Sequence, residues 1–452
     1  MRRSTHLRPL ALTAALTIAA VACSSAAGTG TSPGSTVPSS AGTAESATAA
    51  SDSTAAETPA AGSAAAGAGS PAPKASAAWA SVLARAKGQT VNWYMYGGDD
   101  TLNSFVTGYV ADQLDKVGVK LNQVKITDTS DAVNKVLGDV QAGRKVDGGV
   151  DAIWINGENF ATGVQAKLWS CGWDRTLPNS KFVDFTDPAV NSDFGVPVNG
   201  CEAVWQQADS ALVYDSAKLG TADVASVSSL LAWAEAHPGQ FTYPALPDFT
   251  GSMAVRTILY DTIGGPSALA GPFDEAKYAA ATAKLWPRLN SAATTLWRGG
   301  ATYPQSQDAV EKLYSDGEIS AFFSYGPGGV ADQVKKGLYP ASTRESVLAG
   351  GNIGNRSFIA IPANAAHRAG AMVLANVLQD PQTQLTLFTA EGTYPGIDLS
   401  RTSAAVRAQF AAVPRSPAVL PLAALTQQAQ PELAAAYITR IEKDWKRNVL
   451  QK

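Results

Sequence analysis

Two carboxylates stand in loops that follow apolar runs: Asp99, in Gly97-Gly98-Asp99, and Glu158, in Asn156-Gly157-Glu158-Asn159. As a pair they could cleave a glycoside, which requires one to be held protonated and the two to lie about 5–10 Å apart. They could equally offer negative charge to a cationic ligand while Tyr94, Tyr96, Trp154 and Tyr325 offer ring faces. Trp154 sits in a run that reads as buried, so packing is its expected role. A third loop, Gly326-Pro327-Gly328-Gly329, ends another apolar run. In a fourth, Pro247-Asp248-Phe249-Thr250-Gly251-Ser252, hydroxyls and free N–H groups open a helix, an arrangement suited to a carboxylate or phosphate. Gly, Asn, Asp and Pro also build turns that bind nothing. What favours a site is that three of these loops fall at strand ends, where open parallel sheets take their ligands.

Other chemistries lack their residues. Beyond residue 76 there is no G-x-S-x-G, P-loop, H-E-x-x-H or G-x-G-x-x-G opening a helix after a strand. Past the leader only His237 and His367 remain, one before Pro238 at a helix end and one in a loop, so neither a His-dependent triad nor a zinc site is expected. With 35 Lys+Arg against 38 Asp+Glu, no basic stretch points to nucleic acid. No metal or cofactor is expected.

The elements that must carry these loops alternate in type. Val91–Tyr96 reads as an aromatic strand, and a helix follows with apolar positions at Leu102, Phe105, Val106, Tyr109, Val110 and Leu114. Gly118 stops it, Val119–Ile126 is a second strand, and Val133, Val136, Leu137 and Val140 face one side of a second helix. Val150–Ile155 is a nearly continuous apolar run, broken only by Asp151, as in a central strand covered on both faces. Repeated β-α-β predicts an α/β chain with a parallel sheet. Short strands are expected at 203–206 and 211–214, with a change of lobe nearby, then at 319–325 and 357–362. Helices follow from Arg368 to Ala390, interrupted at Pro381, and a last helix starts at Pro431. All 36 aromatic residues come after residue 78, enough to fill two cores of ordinary domain size.

The start of the chain is an address. Arg2, Arg3 and Arg8 precede an apolar run from Leu10 to Ala22 and then Cys23. The run is about 13 residues against the roughly 20 a membrane-crossing helix needs, so residues 1–22 read as a secretory signal. Ala20-Val21-Ala22-Cys23 is similar to a bacterial lipobox, although Leu is usual where Ala20 stands. That likeness implies a lipid on Cys23. Loss of the leader changes the formal charge from -3 to -6, so the lipid, not basic residues, would hold the protein to a membrane. Residues 23–75 are mostly Ala, Ser, Thr, Gly and Pro and cannot bury enough apolar surface to offset their entropy. They read as a disordered tether with an r.m.s. span of roughly 40 Å. Cys171 and Cys201, in an oxidising compartment, are expected to pair, stabilising the fold by roughly 3–4 kcal/mol.

Where Trp93–Asp99 is joined by Val150–Phe160, with its Trp-Ile-Asn-Gly-Glu-Asn-Phe block, the sequence resembles the extracellular solute-binding proteins of ABC importers, in particular the YnjB-like branch. The resemblance runs on through Ala211–Lys218, Pro247–Ser252, Phe322–Gly328 and residues 357–379, covering about 88–400. It implies a two-lobed periplasmic-binding-protein-like α/β fold with hinge strands and a ligand cleft between the lobes. Lobe 1 would comprise 88–203 plus 356–397, and lobe 2 would comprise 204–355 plus 398–452. It implies capture of a small solute by closure and delivery to a membrane permease and its ATPase, by a lipid-anchored monomer on the outer face of the cell membrane. Acidic loops and aromatics favour an organic cation such as thiamine or a polyamine. The ligand set would be Tyr94, Tyr96, Gly98, Asp99, Asn156, Glu158, Asn159, Thr250, Ser252 and Tyr325. The competing readings are a secreted hydrolase using Asp99 and Glu158, and an adhesive surface lipoprotein.

Overall fold

The computed structural model describes residues 76–452. The signal at 1–22, the lipidation at Cys23 and the tether at 23–75 lie outside the described residues. Eight strands frame the rest: β1 (Thr90–Tyr96), β2 (Lys120–Ile126), β3 (Ala152–Ile155), β4 (Glu202–Asp209), β5 (Ala211–Asp215), β6 (Ala321–Ser324), β7 (Thr343–Ser346) and β8 (Asn352–Ala360). One sheet has the order β4-β8-β3-β1-β2, with short pairings of Tyr394–Pro395 on β4 and Ala429–Gln430 on β8; the other has the order β6-β5-β7.

Alternation builds β1. Val91, Trp93 and Met95 are fully buried on one face, where Trp93 meets Trp205 edge-on at 5.5 Å. β1 is parallel to β2 and β3, as the β-α-β pattern predicts, but β8 runs antiparallel to both β3 and β4. The wholly parallel sheet is thus corrected to a mixed one. The physical reason is that β8 enters this sheet a second time, returning from the other lobe, so its direction is set by the crossing and not by a crossover helix.

Ten helices concern the site: α1 (Asp100–Phe105), α2 (Thr129–Gln141), α3 (Gly157–Gln165), α4 (Phe249–Ile263), α5 (Gln307–Ser315), α6 (Pro327–Lys335), α7 (Arg368–Leu378), α8 (Pro381–Glu391), α9 (Leu422–Gln427) and α10 (Ala435–Trp445). Lobe 1 is cored by Trp93, Trp173, Trp205 and the inner face of α7. Lobe 2 is cored by Met253, Leu285, Tyr437 and Trp445. Cys171 and Cys201 are disulfide-bonded. Among the described residues no helix is long and apolar enough to cross a membrane.

Two neighbouring chain segments cross between the sheets. β4 passes through Ser210 into β5, and β7 returns through residues 347–351 into β8. Ser210 N–H donates to the Ile353 carbonyl at 2.9 Å, and its hydroxyl accepts the Ile353 N–H at 2.9 Å, so the crossing is stitched at one point. Gly351 makes the return possible: its φ is +87°, and a Cβ there would lie 2.4 Å from the Gln428 carbonyl oxygen. β4 and β8 run unbroken past residues 203/204 and 355/356.

Candidate functional site: the cleft between the two sheets

The loop at 97–99 positions a cap before it positions a ligand. Asp99 accepts the Leu102 N–H at 2.9 Å and starts α1. The Tyr96 hydroxyl reaches across the cleft and donates to Asp308 on α5. Burial, then Asp308, push its pKa far up, so it stays a donor. Beside it Thr101 donates to Asp332 on α6 at 2.8 Å, and Lys336 bridges Asp332 and Thr101 at 2.6 and 3.3 Å. Glu391, at the end of α8, faces Asp99; burial first, then that carboxylate, hold Glu391 well above the usual range. Gly98 is exposed beside the Tyr96 hydroxyl.

A second cluster forms where α3 of lobe 1 packs on α10 of lobe 2. Gly157, at φ +65°, points its N–H at both oxygens of Asp193, at 2.9 and 2.8 Å. Asn156 donates to Asn355 on β8 at 3.4 Å, and Glu158 in the first turn of α3 faces Arg256, Glu432 and Glu442. Arg256 is the centre: its side chain is 1% exposed and pairs with Glu432 at 3.1 and 3.2 Å. It also donates to Ser252 at 2.6 Å and Tyr325 at 3.4 Å. Tyr325 donates to Glu432 at 2.5 Å, and Ser252 to Glu442 at 2.6 Å. Three rings close one side, Phe194 to Phe249 at 6.3 Å and Phe249 to Tyr325 at 5.0 Å.

The charge balance is uneven. Burial alone would lower the Arg256 pKa, but Glu432 and its neighbours raise it. Four carboxyls gather here: Glu158, Glu432 and Glu442 face that cation, and Asp193 faces Glu158 and Glu432. Burial raises all four, Asp193 furthest and Glu442 to about 7.

Of the expected ligand set, Glu158, Ser252 and Tyr325 converge on Arg256, and Asn156 touches the same wall. Tyr96, Gly98 and Asp99 share the other end of the cleft. Thr250 is buried in the first turn of α4, and Asn159 lies on α3 one residue past Glu158. Tyr94 is placed elsewhere: it packs with Val133 and Val136 under α2, and its hydroxyl faces Asp139 and Asp151. Trp154 packs edge-on against Trp205 at 5.1 Å. The anion site expected at the start of α4 is corrected. Asp248 fills it with the chain's own carboxylate, accepting the Gly251 N–H at 2.9 Å and the Gln307 N–H at 3.0 Å.

Sequence reasoning missed Asp193, Arg256, Glu432, Glu442 and Asp308. Arg256 alone left a signal, a cation inside the apolar run Met253–Tyr260. The others arrive from remote stretches that look like ordinary surface.

The family model described as bacterial extracellular solute-binding protein matches residues 108–414. Protein YnjB of Escherichia coli (strain K12) is 36% identical over 312 residues, 68% of this chain and 79% of that protein. Among solved structures, an ABC transporter substrate-binding protein from Bradyrhizobium japonicum USDA 110 superposes with a TM-score of 0.58 at 16% identity, covering 80% of this chain and 99% of that one. The spermidine/putrescine ABC transporter substrate-binding protein PotD from Streptococcus pneumoniae gives 0.56 at 10% identity, with 80% and 99% covered. At these identities the likeness is one of fold. The chain belongs to the bacterial extracellular solute-binding proteins.

Proposed function

We propose that the solute is a small organic cation, of the diamine, polyamine or thiamine kind, held between the lobes. The observation that carries this reading is the acidic cluster at Arg256, with the Asp193 and Glu432 side chains buried and Glu158 and Glu442 half-buried, walled by Phe194, Phe249 and Tyr325. A cation entering there would favour the ionised form of Glu442, which burial raises to about 7, and the rings would take its apolar part. The spermidine/putrescine name of one structural neighbour agrees with this chemistry. The ligand set consists of Glu158, Ser252, Tyr325, Asn156, Asn159 and Thr250 at one end, and Tyr96, Gly98 and Asp99 at the other. A ligand bridging both lobes favours closure only by its differential affinity for the closed form, and the crossings at Ser210 and Ile353 absorb the rotation. The closed form is then handed to a permease and its ATPase by a monomer that Cys23 anchors through lipid to the outer face of the membrane.

Thermal unfolding with putrescine, spermidine, thiamine and fructose 6-phosphate, together with mass spectrometry of ligand released by mild denaturation, tests the reading. One cation should raise stability by roughly 2–3 kcal/mol at a hundred times its Kd and be recovered unchanged. Stabilisation by the anionic sugar phosphate, or turnover of the ligand, would overturn it. Replacing Cys23 by Ser should release the protein into the medium if the anchor is a lipid.

A further inference from the structure

A second cavity, of about 370 Å³, opens on lobe 2 away from the cleft, along the free edge of β7. Its floor is Glu345, Ser346 and Val347; one wall is the loop after β5 with Val224, and the other is the segment holding Leu420 and Ala424. Ser346 ties the floor to the first wall through the Val224 carbonyl at 3.1 Å, and the Leu420 N–H ties the second wall to Glu345 Oε2 at 2.8 Å. The volume is at the low end of the range for small-molecule sites and too large for one or two waters.

Glu345 is what sets this cavity apart. The residue is 6% exposed, yet its Oε1 has no hydrogen-bond partner. A protonated carboxyl would need an acceptor at one oxygen and an ionised one would need donors at both; neither state is satisfied with Leu420 alone. Burial pushes Glu345 up to about 8, which is the response of a carboxyl deprived of a counter-charge. The walls mix aliphatic Val224, Ala225, Leu420 and Ala424 with Tyr214, Thr221, Gln427 and Gln428, none of them charged.

We propose that this cavity is a second ligand site, separate from the interlobe cleft, that takes a short alkylammonium with its ammonium on Glu345 and its alkyl chain against Val224, Leu420 and Ala424. The floor strand is the one that leaves lobe 2 for lobe 1, and none of the lining residues belongs to the cleft cluster.

The probe is n-butylammonium chloride, titrated into the full chain labelled with ¹³C at the glutamate carboxyls. The Glu345 signal, assigned by its loss in Glu345→Gln, should move saturably. Affinity at this site should fall at least tenfold in Glu345→Gln, while cation binding in the cleft persists. Ala424→Leu, which narrows the cavity and leaves the carboxyl in place, should also block the site and keeps the test open should the Gln variant fold poorly. A Glu345 signal that does not move, equal binding in Ala424→Leu, or an equal response to neutral n-butanol would overturn the proposal.

Discussion

Arg256 and Glu432, 176 residues apart, meet in a two-point ion pair whose side chains are 1% and 5% exposed. A pair so buried contributes little net stability by itself, since desolvation offsets most of its attraction. Its value is positional. Arg256 holds Ser252, Tyr325 and Glu432 in one arrangement, and through Ser252 it fixes Glu442.

Arg256→Met therefore removes the only cation from among four carboxyls. The expected cost is about 3–5 kcal/mol, measured by urea unfolding, because the remaining charges lose their partner. Glu432→Gln in the same background should recover part of it. If the double variant were no more stable than the single, the two residues would not be coupled.

Glu158→Gln and Glu442→Gln act on the ligand more than on the fold. Each removes a carboxyl whose ionisation burial opposes, so neither should destabilise the fold, and Glu442→Gln should stabilise it as pH rises above about 5. Affinity for the cationic solute should drop by about tenfold to a hundredfold, the usual loss when a hydrogen bond to a charge goes. Calorimetric titration reads this directly, and unchanged affinity in both variants would remove these residues from the site.

Tyr96→Phe deletes the hydroxyl that joins β1 to Asp308 of the opposite lobe. One such bond contributes about 1 kcal/mol, so the open form should gain roughly fivefold in population. Small-angle scattering of the ligand-free protein should show a larger radius of gyration than wild type, and saturating ligand should restore it.

Much of this arrangement was legible where local chemistry decides it. The alternating aromatics of β1 and the Gly118 stop each depend on residues within a turn or two. β7, Thr343-Arg344-Glu345-Ser346, was invisible because a polar edge strand carries no apolar run, and the first half of β8 reads as loop because the crossing there is polar and glycine-rich. The site was half legible. Glu158 and Tyr325 stand in loops at strand ends, but Asp193 lies in a two-residue hairpin strand, and Glu432 and Glu442 belong to the C-terminal segment. Only the packing of α3 on α10 brings them to Arg256, and no spacing in the chain encodes that. The anion site misread at α4 has the same origin: a cap residue and a ligand make the same demand on free N–H groups.

Reduction of the Cys171–Cys201 bond should lower stability by roughly 3–4 kcal/mol, as expected for a 30-residue closure. Cys171→Ser with Cys201→Ser should unfold at lower urea and be insensitive to dithiothreitol, with ligand affinity retained, because neither residue touches the cleft cluster.

Stability should fall as pH rises from about 5 to about 8. Burial pushes Glu442 up to about 7, helped by the charge of Glu158, and pushes Glu345 up to about 8, whereas both start from 4.5 when unperturbed. Between the unfolded and folded values the native chain keeps a proton that the unfolded chain has released. The unfolding free energy therefore declines with increasing pH across that window, and the full contribution is present only below about 4.5. Each unit of displacement corresponds to about 1.4 kcal/mol per group, so the combined slope is measurable. Glu345→Gln removes one of the two groups and should flatten the dependence most between pH 7 and 8, where Glu442 has already lost most of its proton. Urea midpoints at half-unit pH steps would distinguish this from a uniform offset; parallel curves for wild type and variant would mean that Glu345 is ionised in the folded protein despite its burial.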